Sequence, residues 1–314
     1  MLGRVSSLRM PKLADSDFER RCQKPDHRRI GNWMARRISR PLALRCTLLI
    51  LPTGISAHAV TLAAWLIACT AAAAFGWGTI WGWLAGAGLL QLWYLLDHVD
   101  GQIARYRGAA SLDGVQLDYL MHHAVNLIIP LGIGWGLTAK TIEPLWMLAG
   151  IVWGISLLLL GVQHDAKSKA FIQRLKRIEG LLEVVGGGGG RPLPPAVPPM
   201  RSIKLTIWTA RKLCETHVMM NVITCLAVWQ VAVGDQHLIS ARLYAVLMAS
   251  ISAAISAGTL WRSIRRQTAE TEFAAWYRPP AGYELTFEEG WWKVVPSAAD
   301  CAAAHDTLRL TQSY

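Results

Sequence analysis

DHVDGQIARYRGAASLDGVQLDYLMHH, residues 97–123, decides the reading of this chain. It sets Asp97, Asp100, Asp118 and His122 at the ends of two strongly apolar segments. Ionisable groups at a membrane boundary are costly and are read as functional by default. Asp97 and Asp100 stand three apart, and Asp118 and His122 four apart, so each pair lies on one face of a helix. Two helices that each turn a pair of potential ligands inward make the kind of metal cage that helix bundles build.

The surrounding composition sets that pair of helices in a membrane. Hydrophobic residues are 53% of the 314, and the mean hydropathy is +0.28, too apolar for an ordinary soluble domain. Six apolar blocks have the length of a span, at 59–76, 80–97, 117–137, 144–163, 214–233 and 238–259. The expected fold is therefore an all-α polytopic membrane bundle of six transmembrane helices. Residues 1–45 hold twelve Lys/Arg against four acids, and 164–213 hold ten against three, whereas the opposite-side connections are nearly bare. The positive-inside rule then predicts that both termini and the 97–123 stretch lie in the cytoplasm. The net charge of +11 is topological, with added attraction to anionic headgroups. Nucleic acid is set aside as a partner, because the charge flanks spans and forms no nucleic-acid-binding motif.

Six scattered cysteines, with no C-x-x-C pair, indicate neither a disulfide framework nor a zinc site. The first forty-five residues have no apolar core of the signal-peptide kind, so the first span is expected to direct insertion. Residues 31–52 mix Trp33, Met34, Ile38, Leu42 and Leu44 with arginines, the pattern of an amphipathic helix lying in the interface. Ser56 is placed to cap the first span. Gly186–Gly190 followed by RPLPPAVPP (191–199) reads as a flexible and then extended linker. Tryptophans near span ends (Trp77, Trp81, Trp83, Trp93, Trp135, Trp146) read as interfacial anchors. The expected organisation is a basic N-terminal segment with the interfacial helix (1–52), a six-span catalytic domain (53–260, with the linker at 178–200) and a cytoplasmic tail (261–314).

The stretch also carries a signature. Asp97-x-x-Asp100-Gly101-x-x-Ala104-Arg105, eight residues, then Gly114-x-x-x-Asp118, resembles the motif of the CDP-alcohol phosphatidyltransferase family. One position departs, since His122 stands where the family has a fourth aspartate. The entry to the first span is similar to the family in Thr61 alone, which the resemblance sets at the cytidine end of the substrate. A threonine entering a helix also has a plain role as a backbone hydrogen-bonder.

What the resemblance implies is a phospholipid-synthesising transferase. The phosphatidyl group of CDP-diacylglycerol passes to a polar alcohol, and CMP leaves. Asp97, Asp100, Asp118 and His122 would hold Mg²⁺ or Mn²⁺, hard cations suited to a diphosphate. Gly101, Ala104, Arg105, Gly114 and Thr61 would form the nucleotide side. Gly101 would let the nucleotide approach the backbone, Gly114 would relieve crowding, and the planar fork of Arg105 suits phosphate. Catalysis would fall to Asp118 and His122, a histidine being competent as a base or as a ligand. His98 and His123 point about 100° away from these faces and read as packing or headgroup residues. The basic run from His164 to Arg177 reads as a topology-setting face, or as an acceptor-phosphate site. A homodimer in the cytoplasmic (inner) membrane is also implied. The alternatives are a CDP-choline or CDP-ethanolamine type phosphotransferase acting on diacylglycerol, or a non-catalytic lipid- or nucleotide-binding membrane protein. A transporter would place its ionisable groups at the midplane of inverted repeats, and neither feature is present.

Overall fold

The computed structural model describes residues 16–29, 31–185 and 202–297. Short helix α1 (Ser16–Cys22) precedes a π-helical turn at Ala35–Ser39 that runs straight into α2 (Arg40–Ile50). Long helices follow: α3 (Ala57–Gly76), α4 (Ile80–Tyr106), α5 (Leu112–Thr141) and α6 (Leu145–Leu175). Then come α7 (Ser202–Leu213), α8 (Thr216–Val233), α9 (Ile239–Arg266) and α10 (Thr268–Trp276). The described chain divides into two compact units, the first covering residues 16–160 and 202–256, the second 161–185 and 257–297.

Among the described residues, five helices are long and apolar enough to cross a membrane: α3, α5, α6, α8 and α9. The six expected spans are thus five by this measure, and α4 is the one that falls short. Its 27 residues include Gln91, Asp97, Asp100 and Gln102, and its tryptophans and glycines dilute the apolar average. Twelve of those 27 are buried, and α4 packs on α1, α2, α3 and α8. Trp83 and Trp93 are among the twelve: expected as interfacial anchors, they are instead fully buried in the bundle core. A helix sheathed by other helices needs less lipid-compatible surface than one facing acyl chains.

Alanine makes the close packing around α4 possible. On α3, Val60, Thr61, Ala64, Ala68, Ala71 and Phe75 recur at helical spacing and are buried against α4 and α5. Where α3 meets α5 the backbones touch. A Cβ on Gly132 would stand 2.3 Å from the Ala72 carbonyl oxygen, and one on Gly136 only 2.1 Å from that of Phe75. Small residues at helix crossings in membranes serve this close approach. Polar side chains bridge the helices further: Gln91 Nε2 donates to Asn221 Oδ1 (3.1 Å) and Thr224 Oγ1 (2.9 Å).

Residues 31–52 are helical from Ala35 on. Ala35, Ser39, Ala43 and Thr47 are buried, and Thr47 Oγ1 donates to Gln102 Oε1 of α4 at 2.9 Å; Leu44, expected on the interfacial apolar face, is instead buried in a cluster with Phe18 and Cys22. Ile38, Leu42 and Leu49 are exposed.

The second unit is built on the ends of α6 and α9 with α10. Strands β1 (Ile178–Glu179) and β2 (Glu183–Val184) follow α6, at the start of the stretch expected to be linker; the Gly/Pro run at 186–199 lies outside the described residues. The polar tail is folded as far as residue 297. Strand β3 (Tyr277–Arg278) pairs with β2, and β4 (Tyr283–Glu288) and β5 (Trp291–Pro296) form a hairpin that β1 extends in parallel along β5. Its two-residue loop, Glu289-Gly290, has positive φ at both positions, as a type I′ turn requires. Arg174 grips Glu270 with both terminal nitrogens and lies over the rings of Phe273 (5.0 Å) and Trp292 (4.4 Å).

Candidate active site

The motif folds as a helical hairpin. Helix α4 carries Asp97 and Asp100 in its last turns, and α5 opens on Ser111, whose hydroxyl accepts from the Gly114 N–H at 3.1 Å. Gly108, with φ +66°, makes the reversal between them. Arg107 pins the connection to the entry of α3 by donating to the carbonyls of Ile55 (2.5 Å) and Leu51 (3.2 Å).

This hairpin brings three of the four expected ligands together. His122 Nε2 lies 3.2 Å from Asp97 Oδ1 and 3.4 Å from Asp118 Oδ1, and one donor atom from each residue falls within 4.8 Å of the others. Trp93 sets the imidazole with an edge-on ring contact at 5.6 Å. Asp97 Oδ1 is buried and has no aligned hydrogen bond, since His122 Nε2, though only 3.2 Å away, is not directed at it with hydrogen-bond geometry. A buried oxygen left without a donor is an unmet cost that a cation would remove. Two carboxylates and an imidazole around such an oxygen fit a divalent ion.

Asp100 stands outside that group. Three residues on from Asp97, it is rotated by about 60° and carried one turn along the helix. It therefore faces α3, where Thr61 Oγ1 donates to its Oδ2 at 2.6 Å and also reaches the Ala57 carbonyl at 3.1 Å. Both aspartates and Asp118 line one cavity of about 430 Å³.

The remaining motif residues line the same cavity, with different reasons for being there. The space above Gly101 is taken by Arg105, since a Cβ there would meet its terminal nitrogens at 3.1 and 3.4 Å. Arg105 is itself held by donation from Nε to the Cys22 carbonyl at 2.6 Å. At Gly114 a Cβ would make only ordinary contacts, with Ser111 Oγ at 3.4 Å and His58 at 3.8 Å, so the protein itself does not crowd that position. Ala104 and Thr61 complete the wall.

Several lining residues lie outside the motif. Gln23, Lys24 and Arg40 come from the N-terminal segment and His58 from the start of α3. They stand at no fixed spacing from the motif, so only the basic character of Lys24 and Arg40 marks any of them in the sequence. His98, read as a packing residue, also lines the cavity. Its Nδ1 is 2.9 Å from the Tyr94 carbonyl, which can only accept, so Nδ1 donates there and Nε2 is left as the free nitrogen. In the second unit, Lys167 and Arg174, from the run considered for acceptor phosphate, pair with Glu272 and Glu270.

Known proteins bear on this geometry at the level of family. The family model for CDP-alcohol phosphatidyltransferase matches residues 49–185, which span α3 to α6 and include the whole motif. No curated protein matches the chain. Among solved structures, the phosphatidylinositol phosphate synthase of Mycobacterium tuberculosis is similar at 18% identity and a TM-score of 0.37. Its form with CDP-DAG bound is matched over 67% of this chain and 94% of that one. The form in complex with manganese and citrate is matched over 67% and 89%. Residues 49–185 thus match the CDP-alcohol phosphatidyltransferase family model, and the similarity is that of this segment to the family.

Proposed function

We propose that the protein transfers the phosphatidyl group of CDP-diacylglycerol to a polar alcohol and releases CMP. The observation that carries this reading is the meeting of Asp97, Asp118 and His122 around an unsatisfied buried oxygen, at the wall of a cavity also lined by Lys24, Arg40 and Arg105. Those three acceptors suit a divalent cation, and the three cations suit a diphosphate.

Asp97, Asp118 and His122 would hold Mg²⁺ or Mn²⁺. The ion, when bound, neutralises the diphosphate and eases departure of CMP. His122 takes the place of the fourth aspartate as a ligand, because the nitrogen it turns toward the site is the one facing both carboxylates. Asp118 is the most open of the three at 48% side-chain exposure, and it is the group assigned to take the proton of the acceptor hydroxyl. Arg105 and Lys24 bind phosphate oxygens. Asp100, locked by Thr61, shapes the nucleotide end.

In this reading α4 crosses the bilayer as a sixth span, shielded by its neighbours. The motif then lies on the cytoplasmic side, as the Lys/Arg asymmetry favours. The α2 segment lies in the interface with Ile38, Leu42 and Leu49 toward lipid.

The test is CMP release from labelled CDP-diacylglycerol by purified protein in lipid micelles, across a panel of acceptor alcohols. Turnover with one acceptor, abolished in Asp97→Asn and Asp118→Asn, supports the assignment. Release of CMP only from CDP-choline or CDP-ethanolamine with diacylglycerol would reverse the direction of transfer. No CMP from any pair would leave a lipid- or nucleotide-binding role.

A further inference from the structure

Helix α7 has no part in the chemistry above, and its surroundings are unusual for this bundle. None of its twelve residues is buried, whereas the neighbouring α8 buries five of eighteen. Ile203, Ile207, Ala210 and Leu213 recur at intervals of four, three and three, which makes one apolar stripe. At its far end the stripe joins the bundle core through Leu213, while Ile203 is 72% and Ile207 40% exposed. Lys204 and Arg211, both exposed, form a basic flank beside the stripe. Only Cys214 and Glu215 separate α7 from α8, a helix long and apolar enough to span a membrane.

The position of α7 along the bundle follows from its neighbours. Thr216, at the start of α8, donates to Asn126 Oδ1 at 2.9 Å, one turn beyond His122 on α5. Asn221, a turn further, donates to Met34 Sδ at 3.1 Å, just before the π-helical turn that leads into α2. Helix α8 therefore begins at the end of the bundle that holds the candidate active site.

We propose that α7 is an interfacial lipid-binding helix, lying on the membrane face beside the active site and taking anionic phospholipid as its partner. An apolar stripe uncovered by protein and continuous with a membrane-crossing helix is placed where the hydrocarbon boundary begins. Its basic flank then falls among headgroups, where each Lys or Arg gains from anionic lipid. This assignment does not depend on which reaction the cavity catalyses.

The experiment uses the full chain, with its native cysteines replaced, in vesicles of phosphatidylcholine with phosphatidylglycerol. A nitroxide is placed in turn at Ile203→Cys and Lys204→Cys, and its collisions with oxygen and with a water-soluble nickel chelate are read. The expected result is strong oxygen and weak nickel contact at 203, and the opposite order at 204. Water exposure at both sites overturns the proposal. Shielding of the 203 label from both reagents also overturns it, because protein (a second copy or another segment) would then cover the stripe. With Lys204→Gln and Arg211→Gln on the chain labelled at 203, or in phosphatidylcholine alone, nickel contact at 203 should rise several-fold. No change in either case would overturn the anionic-lipid assignment. Size-exclusion elution and thermal melting of each variant report folding independently of activity.

Discussion

Thr61→Val is the sharpest probe of the site, because it removes one hydrogen-bond donor at nearly constant volume. The hydroxyl lies 2.6 Å from Asp100 Oδ2, and Asp100 is only 8% exposed. Hydrogen bonds to charged groups are worth about 1.5–3 kcal/mol in soluble proteins. Bonds between helices in lipid average about 0.6 kcal/mol and reach ~1.7. Asp100 lies between these cases, since it is nearly buried yet lines the cavity. We expect a cost of about 1–2 kcal/mol. The second acceptor of the hydroxyl, the Ala57 carbonyl, already has its helical partner and adds little. If Asp100 has to be fixed for the nucleotide to seat, kcat/KM for CMP release falls about five- to thirtyfold. Thr61→Ser keeps the donor and should stay within about twofold of wild type. A double-mutant cycle with Asp100→Asn isolates the pair, because Thr61→Val should cost much less once the carboxylate is gone. A Thr61→Val protein of wild-type stability and turnover would refute the role assigned to this contact, and so would a cycle with no coupling.

Other outcomes follow from neighbouring parts of the molecule. A chelator should abolish CMP release, and Mn²⁺ should restore more of it than Mg²⁺ because His122 is a softer donor than a carboxylate. His122→Asp should even out that ratio while His122→Ala loses most activity; normal turnover in His122→Ala would show the histidine to be a bystander. Gly136→Ala should prevent folding of the bundle, since its Cβ would stand 2.1 Å from the Phe75 carbonyl, while Gly88→Ala, with nothing within 4 Å, should leave yield and melting unchanged. Burial pushes the Cys22 thiol up to about 11, and Cys22 is fully enclosed, so in the folded protein near neutral pH of ~7 it should resist maleimide and react only on unfolding. In the second unit, hydrogen bonds from Arg174 hold the Glu270 carboxyl below its ordinary range. That contribution is present above the unfolded value of 4.5 and is lost as pH falls through the lower folded value. With Glu270 half exposed it amounts to under about 1 kcal/mol, read as faster hydrogen exchange in α10 in acid and in Arg174→Gln at neutral pH.

The sequence by itself determined whatever depends on spacing within one helix. Asp118 and His122, four apart, had to share a face of α5, and their convergence at 3.4 Å is that periodicity realised. The apolar blocks marked α3, α5, α6, α8 and α9 as helices long and apolar enough to span because length and hydropathy are local properties, and the block at 80–97, on α4, falls short of that measure. The similarity of residues 49–185 to the CDP-alcohol phosphatidyltransferase family model was also legible, in seven motif positions at fixed spacing.

Only the tertiary structure decided which helix each motif residue addresses. Asp97 and Asp100 look equivalent in the sequence, yet a rotation of about 60° turns one toward His122 on α5 and the other toward Thr61 on α3. The wall of Gln23, Lys24 and Arg40 is folded in from far along the chain, so no periodicity could announce it. His98 is a cavity residue because its ring is tied back to the Tyr94 carbonyl, a rotamer choice that depends on its neighbours. The folded hairpin at 283–296 took shape from a tail that looked merely polar, since its partner strand β1 lies more than a hundred residues earlier. Helical phase is set by a few neighbouring residues. Which faces meet is set by how closely backbones can approach, as at Gly132 and Gly136 against α3, and that is a property of the assembled bundle.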